Sequence, residues 1–162
     1  MRCLFLLTLT AALATLAAPA SAGTSSETQS LRVVVCGQLT GPANAWSMPS
    51  ALARQLGLPA RMRGRTWTVV ARGTPCAFAM RNTRALLKLW TKTRPGGLMR
   101  TGSPPLRGWI CGKDRVPRGG AGSPGAQCIY LGVGRRFGFV QLGSLSLAKV
   151  KELAAKRTLP IG

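Results

Sequence analysis

Four cysteines, Cys36, Cys76, Cys111 and Cys128, constrain the fold of this chain most, because the residues ahead of them direct it to a compartment where thiols are oxidised. Met1-Arg2 is followed by an apolar run from Cys3 to Ala18 and then by Pro19-Ala20-Ser21-Ala22-Gly23. A short positive start, an apolar stretch too short to span a bilayer comfortably and an Ala-x-Ala site make residues 1–22 a secretory signal peptide, cleaved after Ala22. An uncleaved membrane anchor is the competing reading, and no later segment is long and apolar enough to cross a membrane. Cys3 is lost with the leader, and the four cysteines that remain predict two disulfides. A four-thiolate zinc site competes with them, but no pair has Cys-x-x-Cys spacing. Three connectivities are open to four cysteines and sequence alone does not select one. The preferred pairing is Cys36 with Cys76 and Cys111 with Cys128.

The charge inventory limits chemistry as strongly as the cysteines limit the fold. The 162 residues carry 23 Lys and Arg against 3 Asp and Glu, with no His, for a net charge of +20. Without imidazole there is no Ser-His-Asp triad, no Cys-His pair and no His ligand for zinc or non-haem iron. Glu27, Asp114 and Glu152 fall on a tail, a loop and a helix, so a carboxylate pair or an oxygen cage for a hard cation is not expected. No cofactor is implied either. Gly132-Val133-Gly134 misses dinucleotide spacing, and Gly112-Lys113 is followed by Asp114 where a phosphate loop needs Ser or Thr. Ser146-Leu147-Ala148-Lys149 matches a serine-nucleophile motif in name only, because it lies in a short terminal helix without the accompanying motifs.

With 46% hydrophobic residues, the length suits one domain, taken as residues 31–162 after a disordered lead-in at 23–30. Val33-Val34-Val35-Cys36 is β-branched and predicts a short strand within Leu31 to Leu39, ended by Gly41-Pro42. A helix capped by Ser47 or Ser50 follows, with Pro49 in its first turn and Gly57 at its end. Arg61, Arg63 and Arg65 alternate ahead of a strand in which Trp67, Val69 and Ala71 share one face. Thr74-Pro75 supplies an N-cap and first-turn proline for a helix reaching about Thr91. Cys76, Ala79, Met80, Thr83, Leu86, Leu87 and Trp90 make its buried stripe, and Arg81, Arg84, Lys88 and Lys92 lie on the other side. Two loops rich in Pro and Gly separate this helix from strands at Trp109, Cys128 and Arg136, and Ser144 or Ser146 caps a last amphipathic helix. The expected fold class is α+β, an antiparallel sheet of about four strands covered by one main helix and stapled by two disulfides.

Val70-Ala71-Arg72-Gly73-Thr74-Pro75-Cys76-Ala77-Phe78-Ala79, then Trp109-Ile110-Cys111, then Cys128 and a closing strand through Phe137 and Phe139, together resemble a small secreted domain found in actinobacteria. In that pattern a strand and Arg-Gly-x-x-Cys lead into a helix, followed by an antiparallel hairpin carrying cysteines. The resemblance covers Thr66 to Gln141. It implies a fold and an extracellular compartment, and no catalytic residue. The two long loops and the segment holding Cys36 depart from the pattern and leave the cysteine pairing open.

The functional expectation is a secreted, non-catalytic basic module that binds anionic cell-envelope or extracellular material. Its candidate ridge is Arg81, Arg84, Lys88 and Lys92, facing an anionic envelope polymer or an acidic protein surface. Trp67, Trp90, Trp109, Phe137 and Phe139 are expected in the core, which leaves few rings for base stacking. The alternative is a secreted inhibitor, for instance of a protease, presenting Gly97-Leu98-Met99-Arg100 on an exposed loop.

Overall fold

The computed structural model of the chain describes residues 32–99, 106–116, 118–131 and 134–156. The leader at 1–22, the lead-in at 23–30 and Arg100 lie outside them. Five strands form one antiparallel sheet in the order β1-β2-β5-β4-β3: β1 Val34–Ser47, β2 Arg61–Arg72, β3 Trp109–Lys113, β4 Gly125–Tyr130 and β5 Arg136–Gln141. Three helices accompany them, α1 Ser50–Leu56, α2 Cys76–Leu87 and α3 Leu147–Ala155. Alternation along β2 puts Trp67, Val69 and Ala71 on the face that α2 covers, together with Phe137 and Phe139 of β5. The opposite face of β2 and β5, with Met62 and Val140, packs against Ala53 of α1 and Val150 and Leu153 of α3.

The α2 stripe is as the sequence predicts. Ala79, Thr83 and Leu86 are fully enclosed, and Arg81, Arg84 and Lys88 are exposed. The ends of the helix differ from expectation. Pro75 is itself the N-cap, in an extended conformation with no side-chain cap, while the Thr74 hydroxyl turns back to donate to the Arg72 carbonyl at 3.3 Å. The helix stops at Leu87 and continues only as a 3₁₀ turn, Trp90–Lys92. The Lys113 ammonium, arriving from β3, donates to the carbonyls of Trp90 and Thr93 at 3.0 Å each and sits 3.8 Å from the Trp90 ring centroid. It thereby satisfies carbonyls freed where the helix ends and places its charge over the ring face. Burial lowers the pKa of this ammonium. In α1, Pro49 is again the N-cap in place of Ser47 or Ser50, and Gly57 ends the helix with φ 63° as expected. Ser146 does cap α3, its hydroxyl accepting from the Lys149 N–H at 3.2 Å.

The expected short first strand is instead a 14-residue edge strand that pairs with β2 from Val34↔Ala71 to Ser47↔Arg61. Gly41-Pro42 does not end it. Between Thr40↔Thr66 and Asn44↔Gly64, three residues of β1 oppose one of β2, forming a bulge. The carbonyls released there are taken up by side chains of β2: Trp67 Nε1 donates to Pro42 at 3.0 Å and Arg65 Nε donates to Gly41 at 3.2 Å. A Cβ on Gly41 would come within 2.6 Å of the Trp67 ring, so only glycine fits this approach. The domain core therefore begins with β1, ahead of the Thr66–Gln141 stretch singled out from sequence.

Both disulfides form with the preferred pairing. Cys36–Cys76 ties edge strand β1 to the start of α2, and Cys111–Cys128 links residues directly opposite in β3 and β4. Each sheet edge is met by one of the two glycine-rich loops, the β1 edge by backbone pairing at Ser47. Ser47 and Ala121 exchange backbone hydrogen bonds at 2.9 and 3.1 Å along β1, and residues 96–99 bond to Cys111 and Lys113 along β3. Gly122 permits the first contact, because a Cβ there would approach the Ala45 carbonyl to 2.7 Å.

Candidate functional site

The sequence-predicted ridge is present on the surface. Arg81, Arg84 and Lys88 project from the exposed side of α2, and Lys92 is exposed on the 3₁₀ turn that follows. They form a row of cations along the helix and the turn after it. Its C-terminal end meets a second row of cations at the β1 bulge, where Leu87 packs beside Gly41 and Arg65 donates to the Gly41 carbonyl.

That second row is Arg61, Arg63 and Arg65, exposed at alternate positions of β2 while Met62 between the first two is buried. A two-residue step along a strand is about 6.6 Å, so the row presents cations at regular intervals along one face. Arg61 and Arg63 line a cavity of about 740 Å³ together with their β1 partners Ser47 and Ala45, and with Ala121 and Gly122 of the loop that edges β1. Trp46 and Met62 complete its lining with Ala45, Ser47, Ala121 and Gly122, and among the described residues Arg61 and Arg63 are its charged members. The sequence signal for this groove was the alternation of Arg61, Arg63 and Arg65. What linear reasoning could not supply was the pairing of this row with Ala45 and Ser47, or the return of Ala121 and Gly122, 60 residues away in the chain.

Among the described residues the basic rows meet no carboxylate. Ion pairs are confined to Glu152, which binds Lys149 at 2.9 Å and Lys156 at 2.7 Å on α3. Hydrogen bonds from Lys156 and Lys149 hold the Glu152 carboxyl down at about 2. Lys149 of the Ser-x-x-Lys sequence is thus paired to a carboxylate while Ser146 is occupied as a cap. Asp114, just past β3, is half-buried with its N–H donating to the Gly125 carbonyl at 2.8 Å, and burial pushes its carboxyl up to about 6.

The raised Asp114 value makes a testable contribution to stability. A folded carboxyl with a pKa above its unfolded value favours the native state fully below about pH 4, and that contribution disappears as pH rises through about 6. Asp114→Asn, which carries no charge to bury, should therefore stabilise the protein at pH 7.5 by about 1 kcal/mol, a figure discounted for partial exposure, and change little at pH 4. Thermal melts of both proteins at the two pH values check this, and an equal shift at both would refute it.

The aromatic residues named from sequence are core residues. Trp67, Phe137 and Phe139 are buried, as is Trp90, and half-buried Trp109 stacks on Phe78 with centroids 5.4 Å apart. The loop proposed for an inhibitor is altered by the fold: Met99 is 3% exposed, its N–H donating to Cys111, so it is not available to a protease cleft. No family model, curated protein or solved structure matches the chain.

Proposed function

We propose that this chain is a secreted, non-catalytic basic module that binds an anionic polymer of the cell envelope or the extracellular space, with the polymer seated in the Arg61 and Arg63 groove. The observation that carries the reading is a groove of about 740 Å³ whose charged lining is Arg61 and Arg63, the rest being Ala45, Trp46, Ser47, Met62, Ala121 and Gly122. Regular guanidinium spacing on a rigid strand matches a chain with repeating phosphate or carboxylate groups, because each arginine can make paired hydrogen bonds to one such group. Arg65 continues the row, and Arg81, Arg84, Lys88 and Lys92 extend the positive surface beyond the bulge. The two disulfides suit an oxidising compartment, and among the described residues no helix is long and apolar enough to cross a membrane. With no histidine and 3 carboxylates, acid–base catalysis has few groups to draw on.

Binding to a soluble polyphosphate should fall steeply with salt, as expected when cations displace condensed counterions. Arg61→Gln with Arg63→Gln should weaken it by about tenfold or more, since both partners of a preorganised site are lost. Neutralising Arg81, Arg84 and Lys88 should weaken it less, and neutralising Lys149, Lys151 and Lys156 least, because Glu152 already offsets charge on that helix. Isothermal titration at two salt concentrations distinguishes these cases. Equal losses from all three sets would leave diffuse attraction and no groove.

A further inference from the structure

We propose that the opposite end of the sheet is a docking surface for an anionic phospholipid bilayer. Strand register sets Ile110 opposite Ile129, Ile129 opposite Arg136, and Arg136 opposite Arg72, so one row crosses β3, β4, β5 and β2 on a single face. Helices α1 and α3 cover this face over β2 and β5 near Met62 and Val140, and among the described residues no helix packs on it at the β3–β4 end. There Ile110 is 47% exposed and Ile129 40%, with Leu131 just past the end of β4 at 62% and Leu98, bridged to Gly112, at 57%. Four large exposed apolar side chains thus gather on β3 and β4 and immediately beside them, a patch of the kind that marks an interaction surface.

The arginines beside the patch identify what it meets. Arg72 and Arg136 are cross-strand partners, and like charges directly opposite destabilise a sheet unless a counter-charge lies between them. The two Glu152 ion pairs do not involve them, and Arg72 Nε is buried with no hydrogen-bond partner. A phosphate accepts from two guanidiniums at once. An occupant that brings an anionic phosphate to Arg72 and Arg136 and apolar material to Ile129, Ile110 and Leu131 is a phospholipid surface, where headgroup and hydrocarbon lie next to one another. A second copy of the chain is disfavoured, since each carries +20. The surface is separate from the Arg61 groove: Arg61 and Arg72 stand at the two ends of one 12-residue strand, roughly 36 Å apart. It does not rest on the polymer-binding reading.

The test is flotation of the disulfide-bonded protein with vesicles of phosphatidylcholine containing phosphatidylglycerol, and with phosphatidylcholine alone, at physiological salt. Binding is expected to the anionic vesicles and to be weakened about tenfold or more by Ile129→Ser with Leu131→Ser, and likewise by Arg136→Gln. Both variants should keep their affinity for soluble polyphosphate, whereas Arg61→Gln with Arg63→Gln should lose polyphosphate affinity and keep vesicle binding. Leu98→Ser, at an exposed site outside the β3–β4 hairpin, serves if the hairpin variants fail to fold by near-ultraviolet circular dichroism. No flotation with anionic vesicles overturns the proposal, as does flotation that all the apolar-to-serine changes leave intact. Release of the protein from vesicles by inorganic phosphate, with the apolar variants binding normally, would equally overturn it in favour of a simple anion site.

Discussion

Trp67→Ala should destabilise the protein by about 3 to 5 kcal/mol, the range found for emptying a fully buried aromatic site. The ring is 0% exposed and is held edge-on by Trp90 at 4.5 Å and Phe139 at 5.6 Å between centroids. Deleting it opens a cavity between the sheet and α2, and α2 is pinned on one side by Cys36–Cys76, so the gap cannot simply close. The substitution also removes the donor to the Pro42 carbonyl and the surface on which Gly41 rests. Two losses are thus combined, one of packing and one of a hydrogen bond that fixes the bulge. Trp67→Phe separates them, since it keeps most of the ring and forfeits the N–H, and should cost clearly less. Trp90→Ala should fall in the same range as Trp67→Ala, because that ring is 2% exposed, and Trp109→Ala should cost less because its ring is only half-buried. Urea titrations followed by far-ultraviolet circular dichroism give these differences. A cost below about half a kcal/mol for Trp67→Ala, the size typical of surface sites, would contradict the packing described.

The same tryptophan shows why parts of the fold were legible and others were not. Period-two alternation of Trp67, Val69 and Ala71, and the helical spacing of Ala79, Thr83 and Leu86, are local patterns, and each element lies where its pattern puts it. The end of β1 depended on distant side chains. Gly41-Pro42 carries every local signal of a turn, and Trp67 and Arg65, some 25 residues onward, hold it as a bulge inside a strand by donating to its carbonyls. The proline N-caps follow the same logic in reverse. Thr74 was the better cap by propensity, yet its hydroxyl is engaged with Arg72 at the end of β2, so the first turn of α2 relies on backbone geometry.

Site residues divide in the same way. The α2 ridge could be read from one helical repeat, and it is exposed as expected. The groove at Arg61 and Arg63 required knowing that Ala45 and Ser47 lie across from them and that a glycine-rich loop returns to β1, which only register and the Gly122 contact establish. Likewise Leu98, Ile110, Ile129 and Leu131 look like ordinary strand residues in the sequence. They become a surface because the helices that cover their face stop short of β3 and β4.

Removing either disulfide should have effects of similar size to the tryptophan changes, but in an order set by chain length and burial. Cys36–Cys76 closes 40 residues and Cys111–Cys128 closes 17, so loop-closure entropy assigns them about 4 and about 3 kcal/mol. The second figure is closer to an upper bound, since β3 and β4 already hold Cys111 and Cys128 in register and strand pairing limits the freedom of that segment. Paired alanine substitutions of each bridge, compared by urea unfolding, measure the two contributions. Access to reductant should rank them the same way. Cys111 and Cys128 are 4% and 0% exposed, whereas Cys36 and Cys76 are half-buried at the junction of an edge strand and a helix start. In mild thiol without denaturant, alkylation and peptide mass spectrometry should find Cys36–Cys76 opened first, with β1 released at its Val34 end, while Cys111–Cys128 resists until the hairpin itself opens. Simultaneous opening of both bridges under native conditions would mean that the β3–β4 hairpin unfolds as readily as the edge strand. That outcome would be incompatible with a hairpin packed on Phe137 and Phe139 in the principal core.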